Sequence, residues 1–210
     1  MPAGITTDRY GVSFANAGEP AWHGLGNVIV QGASTEEVLQ AARLSNWNVR
    51  TVKYDALAYE DDDAFRENPV EISLADSHQR LVVRTNPDNG TVECLGRVTG
   101  RYETFSNEQL AALANTIMDF DHETYWDTAG AIDNNEKVFM SLKLGDEIII
   151  DPHGANDRIL QHVLLTTGHT GNMSVWAKNV GTRVVCANTY AMAMGEEAPT
   201  YKFRHLKGQV

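Results

Sequence analysis

The stretch from Leu164 to Met194, LLTTGHTGNMSVWAKNVGTRVVCANTYAMAM, constrains this chain more than any other, because it sets two glycine-containing reversals between apolar runs. Its spacing predicts an apolar strand over 161–167, then a tight turn through Gly168, His169, Thr170, Gly171 and Asn172. A second strand over 173–178 follows. After another reversal at 179–181, a basic strand over 182–187 would carry Arg183 and Cys186 into a short helix over 189–194. Strand, glycine turn, strand, turn, strand and helix make a binding surface, and that order names no reaction.

The rest of the chain reads as the scaffold for that surface. Ser34 with Glu37 three residues on forms a capping box, and Val38, Leu39, Ala42 and Leu44 give the helix an apolar face that ends near 45–46. Residues 47–59 alternate as a half-buried strand with a break near Asp55, and 70–74 form a short strand. The acidic run 60–63 lacks the ligand spacing of a calcium loop and is expected to be a solvated loop. Residues 80–85 and 91–98 pair as a hairpin across Asn86-Pro87-Asp88-Asn89-Gly90. Ser106 with Gln109 opens a second helix, with Leu110, Leu113, Ile117 and Met118 on one face, ending around Phe120. A further hairpin joins 125–132 to 137–144 across Asp133-Asn134-Asn135, and 147–150 adds a short strand. The expected class is α+β: a largely antiparallel sheet built from hairpins, with helices packed on one face.

Composition excludes some classes. A hydrophobic share of 42% with 21% charged residues belongs to an ordinary globular chain, and no uncharged apolar run is long enough to span a bilayer. The beginning, MPAGITTDRYGVSF, has neither a basic start nor an apolar stretch, so no secretory signal is read and the cytoplasm is expected. Cys94 and Cys186 both sit in apolar strand-like settings and are expected to be buried free thiols. The net charge of -11 argues against binding nucleic acid with the whole surface. Yet from Gly168 onward Lys178, Arg183, Lys202, Arg204 and Lys207 face only Glu196 and Glu197. The positive potential is therefore local.

No linker divides the chain, so residues 1–30 are expected to form an N-terminal arm and 31–210 a single domain. In the arm, GEPAWHGLG over 18–26 is not spaced as a phosphate loop; Trp22, with His23 beside it, is expected to dock in a groove of its own or a neighbouring subunit. His153, Asp157, His162 and His169 are possible metal ligands within a short stretch, but His162 and His169 would point to opposite faces of a strand. No metal and no cofactor is assigned. His122 beside Glu123 repeats at no ligand spacing, and no nucleophile has an adjacent base.

Seven stretches carry a resemblance: PAWHGLG over 20–26, LSNWNVRTV over 44–52, LGRVTGRYETFSN over 95–107, TAGAI over 128–132, LLTTGHTGNMSV over 164–175, TRVVCANT over 182–189 and FRH over 203–205. Taken in order they resemble a phage/plasmid-like protein family of unknown function. Thr170 stands where that family commonly has a charged residue. Family members run on into a further helical segment, so a C-terminal part is expected to be absent here. The order of hairpins and helix is also similar in topology to phage single-strand-annealing recombination proteins, which assemble as rings or filaments around DNA.

These readings converge on a non-enzymatic phage DNA-binding protein that holds single-stranded DNA for annealing or recombination as a homo-oligomer. Single-strand binding needs cations along a groove and planar side chains for bases. Lys178, Arg183, Lys202 and Arg204 supply the first, Trp176 and Tyr201 the second, and His169 and Asn172 would meet phosphates from the glycine turn. Arg183 has an alternative in pairing with a carboxylate, and Trp176 in the core. Two other functions stand beside this one: a protein-interaction or assembly module, and, ranked last, a metal-dependent enzyme acting on nucleic acid.

Overall fold

The computed structural model describes residues 4–58, 70–74, 77–150 and 157–206. The chain opens with β1 (Thr7–Asp8), β2 (Gly11–Val12), β3 (Phe14–Ala17) and β4 (Asn27–Ile29), then helix α1 (Thr35–Ala41). Next come β5 (Arg50–Val52), β6 (Asp55–Ala58), β7 (Val70–Ser73), β8 (Gln79–Thr85) and β9 (Val92–Thr99), closed by α2 (Asn107–Phe120). The last third is β10 (Tyr125–Ile132), β11 (Lys137–Ile150), β12 (Asp157–Gly168), β13 (Val175–Val180), α3 (Ala187–Gly195) and β14 (Thr200–Phe203). The acidic run 60–63, the loop 151–156 with His153, and Lys207 lie outside the described residues.

Seven strands form the main sheet in the order β14-β13-β12-β11-β10-β3-β4. Every neighbouring pair is antiparallel except β3 with β4. A second, three-stranded sheet has the order β5-β8-β9. The class is thus α+β and mostly antiparallel. The predicted hairpins are present: β8 and β9 turn at Gly90 with φ 72°, and β10 and β11 turn through three consecutive left-handed residues, Asp133, Asn134 and Asn135. Asparagine and aspartate tolerate that conformation better than other side-chain-bearing residues.

The strand period of two sorts side chains into two cores. On one face, Trp126, Ala129, Val138, Met140, Leu142 and Leu165 meet Val38 and Leu39 of α1, Leu110, Ala111 and Ala114 of α2, Val82 and Val98 of the smaller sheet, and Trp47 just before β5. On the other, Phe14, Ile132, Phe139, Leu164 and Val180 meet Val184, Val185 and Cys186 with Tyr190 and Ala193 of α3. The expected grouping of helices on one face therefore describes α1 and α2, while α3 covers the opposite face. Both capping boxes form as predicted, Ser34 with Glu37 and Ser106 with Gln109.

Three local expectations change, and the break expected near Asp55 is present, separating β5 from β6, which belong to different sheets. The stretch read as an arm supplies β3, whose four residues are all buried between β10 and β4. Residues 182–187 do not form a strand, since both edges of β13 are already taken by β12 and β14. Side chains satisfy that segment's backbone instead: Thr189 Oγ1 accepts from the amides of Val185 and Cys186, and Thr128 Oγ1 donates to Val184 O at 2.6 Å. Cys94 is exposed, its strand having slipped one position at the bulge opposite Val82 and Val83, whereas Cys186 is buried and caps α3. Among the described residues no helix is long and apolar enough to cross a membrane.

Candidate nucleic-acid interface

The glycine turn and the strands around it form one side of a cleft of about 1060 Å³. Its walls come from far apart in sequence: Arg97, Val98 and Thr99 of β9, Glu136 and Lys137 at the β10–β11 hairpin, Thr170 to Ser174 on the turn, Tyr190 and Met194 of α3, and the final stretch through Lys202, Arg204 and His205. Close backbone packing assembles them. A Cβ on Gly96 would lie 2.6 Å from Thr170 Cα, and one on Gly171 would lie 2.7 Å from Val98 Cγ1. Glycine at both positions lets β9 press directly against the turn.

The turn is anchored from inside. The side chain of His169 points into the core beside Trp47, with ring centroids 5.8 Å apart, and its Nε2 lies 3.1 Å from Asn107 Oδ1. Asn107 Nδ2 donates to Leu44 O, so Oδ1 is the accepting atom and His169 Nε2 carries the proton. Burial, aided by the charges of His205 and Arg84, pulls the His169 pKa down to about 3, and the ring is neutral. The His169 amide donates to Glu136 O at 2.8 Å, which ties the turn to the neighbouring hairpin.

His205 anchors the final stretch. It stacks on Tyr102 at 4.9 Å between ring centroids, donates from Nδ1 to Glu103 O and accepts at Nε2 from Thr167 Oγ1. Burial lowers its pKa, partly opposed by the hydrogen bond to Glu103 O. Tyr102 donates its hydroxyl to Gly168 O, and burial holds that hydroxyl protonated. Tyr190 meets Thr166 at 3.0 Å, with its pKa pushed up to about 12 by burial. The base of the cleft is therefore neutral, hydrogen-bonded and fixed.

Charge sits on the rim. Among the described residues, Arg97, Lys137, Lys202 and Arg204 line the cleft against the single carboxylate of Glu136. Lys137 pairs with Asp133 at 2.6 Å, whereas Arg97, Lys202 and Arg204 have no ion pair among the described residues. Lys202 Nζ stands 4.6 Å from the centroid of the Trp176 ring, its direct cross-strand neighbour. Met173, Tyr190 and Met194 add an apolar side, so cationic and apolar surface meet in one concavity.

Of the residues singled out from sequence, Asn172, Trp176, Lys202 and Arg204 come together in this cleft. Tyr201 follows the strand alternation to the opposite face, 71% exposed. His169 is withdrawn from the surface as described. Lys178 is also corrected: it is 4% exposed and its Nζ donates to Met194 O at 2.7 Å, satisfying a carbonyl at the end of α3. Arg183 takes the alternative foreseen for it, with Nε 2.9 and 3.0 Å from the two carboxylate oxygens of Asp127. Trp22 is 79% exposed. His23 uses both ring nitrogens within the chain, accepting from the Leu25 amide and donating to Val185 O. Arg97, Glu136, Lys137 and Tyr102 carry no sequence pattern of their own that marks them; Gly96 and Gly171, two glycines that let distant backbones touch, were the available signal.

A family model described as "Domain of unknown function (DUF932)" matches residues 94–210, which include every lining residue of the cleft except Gln79. No curated protein and no solved structure matches the chain.

Proposed function

The chain belongs to the DUF932 family of unknown function, and as that description names no activity we propose, from the chemistry of the cleft, that the protein holds single-stranded DNA without reacting with it. The observation that carries this reading is the local reversal of charge. On a chain of net charge -11, the large concavity among the described residues gathers four cations and one carboxylate. A phosphate chain is drawn to such a site and repelled elsewhere. Trp176 with Lys202 offers a planar apolar surface beside a cation, the pairing that single-strand binding uses for bases and phosphates without a sequence code. Annealing or recombination is the role we propose for such a site. A ring or filament of copies would align the clefts, and Trp22 is exposed for contact between subunits.

The test is anisotropy of a labelled single-stranded oligonucleotide at low and moderate salt, with the mass of the protein measured in parallel. Binding that falls linearly as log K against log salt, on a homo-oligomer, supports the reading. A monomer that ignores the strand at low salt overturns it. That outcome favours a protein-interaction module, for which the exposure of Trp22, Val28 and Val30 is the supporting observation.

A further inference from the structure

Glu136 is the one carboxylate among the described lining of the cleft, and it works against a ligand that offers phosphates alone. Its backbone is fixed at both ends: its amide donates to Asp133 O at 3.1 Å, and its carbonyl accepts from the His169 amide at 2.8 Å. It follows three consecutive left-handed residues, so the hairpin cannot swing it away without breaking that turn. The side chain is exposed and, among the described residues, has no hydrogen-bond or ion-pair partner. Its neighbour Lys137 is directed to Asp133 instead.

A carboxylate on a binding surface whose backbone is fixed and whose oxygens have no partner among the described residues is matched by donors on the ligand. In an unpaired strand those donors lie on the Watson–Crick edges of the bases. Guanine alone presents two side by side, N1–H and N2–H, in the parallel arrangement that a carboxylate accepts from an arginine fork. Cytosine and adenine set one amino group beside an acceptor nitrogen, and the N3–H of thymine stands between two carbonyls. We infer, resting on the single-strand reading above, that Glu136 selects a guanine base, accepting N1–H and N2–H on its two oxygens while the cationic rim holds the adjoining phosphates.

The experiment compares a labelled oligothymidine of about twelve nucleotides, a length within the range of single-strand sites, with the same strand carrying one central guanine. Wild type is expected to bind the guanine strand about tenfold more tightly, the scale of one bidentate base contact. In Glu136→Gln that preference disappears, while affinity for the all-thymine strand rises because a negative charge has left the cleft. Glu136 is exposed, so the variant keeps its fold, which the unfolding midpoint checks. Equal wild-type affinity for the two strands overturns the inference and leaves single-strand binding standing. An undiminished guanine preference in Glu136→Gln overturns the assignment to this residue. Binding of neither strand at low salt overturns the underlying reading, and the inference with it.

Discussion

The imidazole of His169 donates from Nε2 to the side-chain oxygen of Asn107, 3.1 Å away, with both residues fully buried. Asn107 also donates to Leu44 O, so one amide joins the start of α2, the segment after α1 and the glycine turn of the cleft. Replacing it strands a buried carbonyl and a buried ring N–H together. Asn107→Ala is expected to lower stability by about 2–6 kcal/mol, the sum of two such losses, in chemical denaturation. The same variant is expected to weaken single-strand binding, because the turn that lines the cleft loses its inner anchor.

Acid acts on the same pair. Burial holds the folded-state pKa of His169 at about 3, below the value of about 6.5 in an unfolded chain. Between those limits the unfolded state binds the extra proton, so stability rises with pH and is lost as pH falls from about 6.5 toward 3. His205, also lowered by burial, acts in the same direction. Within that window the His169 ring costs about 1.4 kcal/mol per pH unit. Denaturation midpoints measured across this window should fall less steeply in His169→Gln than in wild type, whatever the absolute stability of that variant.

Cations near the cleft divide into two kinds that sequence does not separate. Lys202→Ala with Arg204→Ala is expected to weaken single-strand binding and reduce the slope of log K against log salt by about 1.4, or roughly 0.7 for each phosphate no longer neutralised. Lys178→Met removes the donor to Met194 O and Arg183→Ala leaves the buried carboxylate of Asp127 without its guanidinium. Each should lower stability by about 1–3 kcal/mol and leave the salt slope unchanged. Salt titration and thermal unfolding on the same three variants read out the difference.

Local signals in the sequence located most elements and only half of the site. The capping boxes at Ser34 and Ser106 and the turn residues 86–90 and 133–135 act within a few residues, so their structural outcome follows from their own chemistry. Residues 182–187 have the composition of a strand, but a strand needs an open edge, and the order β12-β13-β14 leaves none beside β13. The same limit applies to the cleft. Trp176, Lys202 and Arg204 were legible as a basic aromatic cluster near the end of the chain. Arg97 reaches them only because β9 packs on the turn, a long-range contact with no periodicity to betray it. Lys178 and Lys202 are alike in sequence; the helix end above Lys178 makes one structural and leaves the other on the rim.

The position of β3 has a consequence for how the chain is made. Phe14–Ala17 sits between β10 and β4, and its antiparallel register with β10 runs from Phe14 opposite Gly130 to Asn16 opposite Thr128. A ribosome adding about ten residues per second delivers that partner roughly ten seconds after β3 itself has emerged. Until then β3 and β4 have only each other to pair with, and the nascent chain carries the β10-facing edge of β3 as unpaired backbone. The sheet is thus closed from its C-terminal half back onto a strand synthesised long before its partner, which places β3 among the last parts to become native.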